Sequence, residues 1–243
     1  MAELGTRIER AQRLFVLTGA GMSAESGIAT FRDALTGLWS RFDPAQLASE
    51  EGFRADPAQV WDWYAERRNG LRAAQPNAGH WALGAFARRR PGVLTLVSQN
   101  VDDLHQRAGN VDTIRLHGDL TADRWLDRCA RMPACDPMRA HPGRPPRCAQ
   151  CGNLVRPAVV WFGEMLPMAA LESADRAAQA CDVALIVGTS GAVWPAAGLA
   201  ALARRAGAFV AIVNPNESEI DDAAHVVLRA TAAQALPQLL ERR

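Results

Sequence analysis

At 243 residues, with 49% hydrophobic and 22% charged composition, the chain is long enough to bury a full core and is neither disordered nor fibrous. Its 27 basic and 26 acidic residues leave a formal net charge of +1, and no long run of one sign tracks a phosphate backbone or an anionic membrane, which argues against nucleic acid as a partner. All the basic residues are Arg, a bias that accompanies the high Ala content and carries no functional reading of its own.

Met1 to Arg13 has amphipathic helical spacing and runs into an apolar strand without the basic start and small-residue cleavage site of a signal peptide. Strand-like runs follow at Leu14 to Thr18, Val93 to Ser98, Val183 to Gly188 and Phe209 to Asn214, with weaker ones at Thr113 to Leu116, Ala158 to Trp161 and His225 to Leu228. Helix-patterned stretches separate them. The alternation predicts an α/β fold: a doubly wound parallel sheet, Rossmann-like, covered on both faces. Two segments interrupt it, Arg32 to Asn77, helical and rich in aromatics, and Thr121 to Pro157, rich in Pro, Arg and Cys. Both are assigned to a smaller lobe made of a helical insert and a zinc-ribbon-like Cys cluster. A single domain over 1–243 then has a large lobe at about 1–31, 78–120 and 158–243 and a small lobe at about 32–77 and 121–157, with ligands expected in the cleft between them. No run approaches the roughly 18 apolar residues of a membrane span, so no membrane partner is expected and the location is expected to be cytoplasmic.

The strand Leu14 to Thr18 leads directly into Gly19-Ala20-Gly21-Met22-Ser23-Ala24, a Gly-x-Gly-x-x-Ala dinucleotide fingerprint. On that reading Gly19 permits a tight turn, Gly21 lets the backbone approach a pyrophosphate, and Ala24 lets a following helix pack close to the strand. A dehydrogenase also needs an acidic residue ending a second strand about 20 residues later; the corresponding stretch, Leu38 to Asp43, follows no strand, which weighs against hydride transfer. Four of the five cysteines fall between Cys129 and Cys151, and in a reducing compartment such a cluster suggests metal. Cys148-Ala149-Gln150-Cys151-Gly152 is a zinc knuckle, whereas Cys129 and Cys135 are spaced more widely than zinc pairs usually are. Both a four-thiolate structural zinc site with a widened loop and a lobe held by packing alone fit this pattern.

The stretch from Gly19 to Arg32, followed in order by Gln99-Asn100-Val101-Asp102, His117-Gly118, Val160-Trp161-Phe162-Gly163-Glu164, Gly188-Thr189-Ser190 and Val213-Asn214, closely resembles the sirtuin family over nearly the whole chain. The resemblance implies an NAD-dependent protein lysine deacylase that acts on acyl-lysine peptides or proteins and releases nicotinamide, O-acyl-ADP-ribose and free lysine. It implies NAD contacts at Gly19, Ala20, Gly21, Ser23, Ala24, Phe31, Arg32, Gln99, Asn100, Asp102, Gly188, Thr189, Ser190, Asn214 and Ala232. His117 would be the general base, with Asn100 and Asp102 as further catalytic residues; an imidazole whose ordinary pKa is near 6.5 suits that role at cellular pH.

Val160, Trp161, Phe162 and Gly163 resemble the segment that holds the acyl-lysine peptide as an added strand, although Trp161 reads equally well as core. Tyr64 and Arg67, one helical turn apart in Pro57 to Arg72, resemble the pair in the sirtuin branch that removes succinyl, malonyl and glutaryl groups. Ala48 matches a small residue that leaves room for the acyl tail. A sirtuin-like NAD hydrolase or ADP-ribosyltransferase would use the same cofactor residues.

Overall fold

A computed structural model describes residues 1–28, 43–127 and 140–241. Contacts within the chain group it into two compact units: Met1–Phe31, Ala74–His117 and Leu166–Arg243 form one, and Arg32–Ala73 with Gly118–Met165 form the other.

The first unit is built on six parallel strands: β1 (Leu14–Thr18), β2 (Leu94–Ser98), β3 (Ile114–Arg115), β6 (Val183–Val187), β7 (Phe209–Val213) and β8 (Val226–Leu228). Their spatial order, β3-β2-β1-β6-β7-β8, shows the chain winding outward from β1 on one side and then returning to continue from β6 on the other. This is the expected doubly wound sheet, with its switch point between β1 and β6. Alternation along the strands divides the core into two layers. Leu14 and Val16 of β1, with Val183, Leu185 and Val187 of β6, pack under α1 (Ala2–Arg10), α5 (Ala78–Arg89) and α9 (Ala232–Leu240) through Ile8, Phe86 and Leu236. Phe15 and Leu17, with Ala184 and Ile186, face α7 (Met168–Ala180) and α8 (Gly198–Arg205) through Ala174, Ala178 and Leu199. Strands covered on both faces read as continuous apolar runs, which is why β1 and β6 stand out in the sequence.

The second unit contains α2 (Pro44–Leu47), α3 (Glu50–Ala55), α4 (Pro57–Ala73) and an antiparallel pair, β4 (Gly118–Trp125) and β5 (Val155–Val159). Ser49 caps α3 by accepting from the Gly52 amide at 3.0 Å. Arg68 fastens α4 to β4, donating to the carbonyls of Leu120 at 2.7 Å and Ala122 at 3.1 Å and pairing with Asp123. Ala158 to Trp161 was expected to add a strand to the parallel sheet. The strand instead spans Val155–Val159 and pairs with β4, which sequence alternation conceals because the register shifts between Asp119 and Asp123. No helix among the described residues is long and apolar enough to cross a membrane.

Candidate functional site

Parallel register aligns the ends of four neighbouring strands. Ser98 pairs with Thr18, Thr18 with Val187, and Val187 with Val213. The next residues, Gln99, Gly19, Gly188 and Asn214, therefore emerge in a row, each amide still bonded to the adjacent strand: Gln99 to the Thr18 carbonyl, Gly19 to Val187, Gly188 to Val213 and Asn214 to Leu228, at 2.9 to 3.1 Å. This row lies at the carboxyl edge, on both sides of the switch point, where open α/β sheets bind ligands.

The loops leaving β1 and β6 press against each other. Gly188 has φ +61, and a Cβ there would sit 2.5 Å from the Met22 amide nitrogen; one on Gly21 would sit 2.8 Å from the Gly188 Cα. Any side chain at either position would force the two loops apart. Two details differ from the fingerprint reading. Gly19 is extended, at φ -121 and ψ -169, so its need for glycine comes from close approach to Gly188 and Thr189 rather than from a turn. No α-helix follows directly; two 3₁₀ turns, Ala20–Met22 and Ala24–Ser26, take its place, and Ala24 is exposed rather than packed against the strand. The loop is therefore built from short turns, without a long helix dipole, and the amides of Gly21, Met22 and Ser23 close on the carbonyls of Gly188, Gly19 and Ala20.

Asn100, Asp102 and Ser23 form a buried cluster. Asn100 Nδ2 donates to the Gly19 carbonyl at 3.0 Å and to Ser23 Oγ at 3.2 Å, and Ser23 Oγ donates to Asp102 Oδ2 at 2.8 Å. Asp102 Oδ1 accepts the Leu104 amide at 3.1 Å. Burial raises the Asp102 pKa, opposed by the hydrogen bonds from Ser23 and Leu104. Gln99 Nε2 donates to Thr189 Oγ1 at 3.1 Å and Asn214 Nδ2 to the Thr189 carbonyl at 3.2 Å, joining the β2, β6 and β7 ends. Ala20 and Ser190 are exposed, whereas Ala232, at the start of α9, is buried in the core.

His117 is half-buried, and its Nδ1 lies 2.7 Å from the Gln99 carbonyl oxygen. A carbonyl only accepts, so Nδ1 carries the hydrogen and the neutral ring keeps its lone pair on Nε2. Burial lowers the His117 pKa, opposed by the hydrogen bond to Gln99. The ring is thus held neutral and oriented, the state a proton acceptor requires.

In the second unit, Tyr64 and Arg67 share a face of α4. Tyr64 is 4% exposed, and its hydroxyl accepts from Trp161 Nε1 at 2.9 Å. The Arg67 guanidinium stacks 4.9 Å from the Trp63 ring centre. Burial pushes the Tyr64 phenol up to about 12, against the opposing Trp161 hydrogen bond and the nearby Arg67 charge. Ala48 is buried; its carbonyl accepts the Phe162 amide at 2.9 Å, and Ser49 bridges to Phe162 in parallel fashion. Phe162 is 54% exposed, Trp161 only 2%, Val160 lies half-buried, and Gly163 is exposed.

The Sir2 family model matches residues 19–195, most of the chain. The chain belongs to the Sir2 family. It is 56% identical over 233 residues to the NAD-dependent protein deacylase of Ralstonia nicotianae, across 96% of this chain and 93% of that protein. Among solved structures, a Sir2 homologue in complex with NAD is similar at 41% identity and TM-score 0.86, covering 99% of this chain and 92% of that one. A Sir2 complex with a p53 peptide and NAD+ is similar at 28% identity and TM-score 0.84, covering 98% and 96%.

Several expected Sir2 residues, Phe31, Arg32, Cys129 and Cys135, lie outside the described residues. The other cysteine pair forms a tight turn: the Gly152 amide donates to the Cys148 carbonyl at 2.9 Å, and the Gln150 amide points at Cys148 Sγ at 3.4 Å. Cys181, outside that cluster, is a buried thiol that burial pushes up to about 11.

The structure also adds Arg115 and Ser98, which the motif reading did not single out, and gives His105, expected to pack or hydrogen-bond near the Gln99 loop, a partner in Thr18. Arg115 Nη2 donates to the carbonyls of Val101 at 3.2 Å and Asp102 at 2.6 Å, bracing the Asn100 to Asp102 loop. Beneath that loop, Ser98 Oγ accepts from Thr18 at 3.0 Å and from the Asn100 amide at 3.1 Å, while His105 Nε2 lies 3.0 Å from Thr18 Oγ1. His105 is kept neutral, its pKa pushed down to about 3 by burial. No short motif marks these residues, because their partners come from different strands.

Turnover that uses neutral His117 as a base is lost only when the ring takes a proton. Because its pKa is shifted below the ordinary 6.5, the acidic limb of kcat/KM should be centred below pH 6.5. A pH–rate profile measures this, and a limb centred above 6.5 would contradict the assignment.

Proposed function

We propose that this Sir2 family chain is an NAD-dependent protein lysine deacylase whose acyl pocket accepts chains that end in a carboxylate, such as succinyl and malonyl, as well as acetyl. The observation that carries the catalytic part is the His117 ring, fixed by the Gln99 carbonyl with its Nε2 lone pair available. The donor set at the strand ends suits NAD: closely apposed glycine loops for a pyrophosphate, hydroxyls at Ser23, Thr189 and Ser190, and the amides of Gln99 and Asn100 for the nicotinamide and its ribose. When bound, NAD supplies an electrophilic ribose carbon with nicotinamide as its leaving group. Asn100 and Asp102 hold Ser23 and the Gly19 loop in place, and His117 takes a proton at Nε2 during acyl transfer.

Acyl-lysine peptides are assigned to Val160, Trp161, Phe162 and Gly163 on one side of the pocket. Support comes from the Phe162 main chain, already paired with Ala48 and Ser49 in strand fashion. Tyr64 and Arg67 are the groups assigned to the acyl carboxylate. An Arg–carboxylate hydrogen bond contributes about 1.5 to 3 kcal/mol, or roughly ten- to a hundredfold in discrimination. In the same peptide, Arg67→Met should therefore lose desuccinylation at least tenfold more than deacetylation, with O-acyl-ADP-ribose and free lysine as matched products of the wild type. Equal losses on both substrates would reject the carboxylate reading, and ADP-ribose formed without deacylated peptide would mark an NAD hydrolase.

Structural zinc is proposed at Cys148 and Cys151 together with Cys129 and Cys135. Support comes from the Gln150 amide directed at Cys148 Sγ within a Cys-x2-Cys turn that the Gly152 amide closes on the Cys148 carbonyl. When bound, zinc would cross-link the second unit and take no part in acyl transfer. Elemental analysis of folded, active protein should find one zinc per chain; active protein without zinc would overturn the site.

A further inference from the structure

Tyr64 is the one tyrosine in the chain, and it is held by an unusual set of neighbours. A phenol has one proton to donate and two lone pairs to accept with, whereas an indole N–H only donates. The 2.9 Å contact from Trp161 Nε1 therefore occupies a lone pair of Tyr64 and leaves the phenolic proton without an acceptor among the described residues. Trp161 is the phenol's hydrogen-bond partner among the described residues. The Arg67 charge acts on the same phenol, so a free acceptor arriving there meets a proton donor and a cation together.

Trp161 is itself tightly fixed. The Arg156 guanidinium, 1% exposed, lies 3.2 Å from the Trp161 ring centre, and Phe53 packs 5.2 Å away. Arg156 is held by Glu164 at 2.5 Å and by the Val159 carbonyl at 2.8 Å. The same Glu164 accepts the Trp161 amide at 2.8 Å and Arg124 at 2.9 Å, so carboxylate, guanidinium and indole form one continuous brace. A cation over the indole face draws electron density from the ring and strengthens its N–H as a donor. Through the indole N–H the brace reaches the Tyr64 oxygen.

We propose that Trp161 is a specificity-determining positioning residue: by occupying an acceptor site on Tyr64, it commits the phenolic proton to the terminal carboxylate of a dicarboxylic acyl-lysine. The inference rests on the carboxylate-pocket reading above and assigns the indole N–H, rather than direct substrate contact, as the source of part of that selectivity. Burial keeps the phenol protonated, with its pKa pushed up to about 12, so it donates throughout the working range and never repels the carboxylate.

The test uses the full chain with one peptide carrying either succinyl-lysine or acetyl-lysine, and compares Trp161→Phe, Tyr64→Phe, their double variant and Arg67→Met. Trp161→Phe keeps an aromatic ring and deletes the N–H. It should lower the succinyl-to-acetyl ratio of kcat/KM about fivefold, the size of one ordinary hydrogen bond. The double variant should show no lower ratio than Tyr64→Phe alone, because the indole acts through the phenol. Proportionate losses on both peptides in Trp161→Phe, or single-variant losses that multiply in the double, would overturn the inference. If Tyr64→Phe and Arg67→Met leave the ratio unchanged, the carboxylate reading itself fails; if they lower it and Trp161→Phe does not, only the positioning role fails.

Should Trp161→Phe not fold, 3-fluorotyrosine placed at this single tyrosine provides a second measurement in the otherwise unaltered protein. Without NAD, so that no turnover occurs, saturating succinyl-lysine peptide should move the fluorine resonance clearly further than saturating acetyl-lysine peptide. Equal shifts would show that the phenol does not donate to the acyl carboxylate, and would overturn the inference.

Discussion

Parallel register at the ends of β2, β1, β6 and β7 is the constraint on which the site depends. Because Ser98, Thr18, Val187 and Val213 are aligned, the residues that follow them leave the sheet at one level and bond to one another rather than to solvent. Gln99 then reaches Thr189, Asn214 reaches the Thr189 carbonyl, and Asn100 reaches Gly19 and Ser23. A shift of one residue in any of these strands would turn its core side chains to the opposite face, so the core layers and the site geometry enforce the same register. His117 belongs to this arrangement, because the carbonyl that orients its ring is that of Gln99, the first residue beyond β2.

The second unit solves a different problem: how to hold polar groups on a helix face through aromatic neighbours. Two tryptophans do so. Trp63 lies beside the Arg67 guanidinium, and Trp161 donates to Tyr64. For Arg67 the contact is a cation over an aromatic face; for Tyr64 the indole N–H occupies an acceptor lone pair of the phenol. Arg156 and Glu164 show the opposite strategy. Burial lowers the Arg156 pKa, yet its bonds to Glu164 oppose that shift, as a buried ion pair must if both charges are to persist.

The sheet was legible because β1 and β6 are buried on both faces and therefore read as unbroken apolar runs, with β1 at the same residues, Leu14 to Thr18, in sequence and structure. The one-turn spacing of Tyr64 and Arg67 was legible for a similar reason, since helical periodicity is local. What escaped was either irregular or distant. Gly-x-Gly-x-x-Ala looks the same whether an α-helix or two 3₁₀ turns follow, so the exposure of Ala24 had no sequence signal. The register shift in β4 erased the alternation that marks a strand. Trp161 was ambiguous between core and site because its hydrogen-bond partner Tyr64 lies 97 residues away. It is a core residue hydrogen-bonded to a candidate site residue, a combination that neither burial propensity nor motif matching describes.

The central claim is that the Gln99 carbonyl fixes His117 as a neutral ring with its basic nitrogen at Nε2. Long-range ¹H–¹⁵N correlation spectra of protein labelled at its five histidines read this directly, once the His117 signals are identified by comparison with His117→Ala. At neutral pH the account predicts a protonated Nδ1 and an unprotonated Nε2 for His117. A proton on Nε2, in either the other neutral tautomer or the imidazolium, would contradict it.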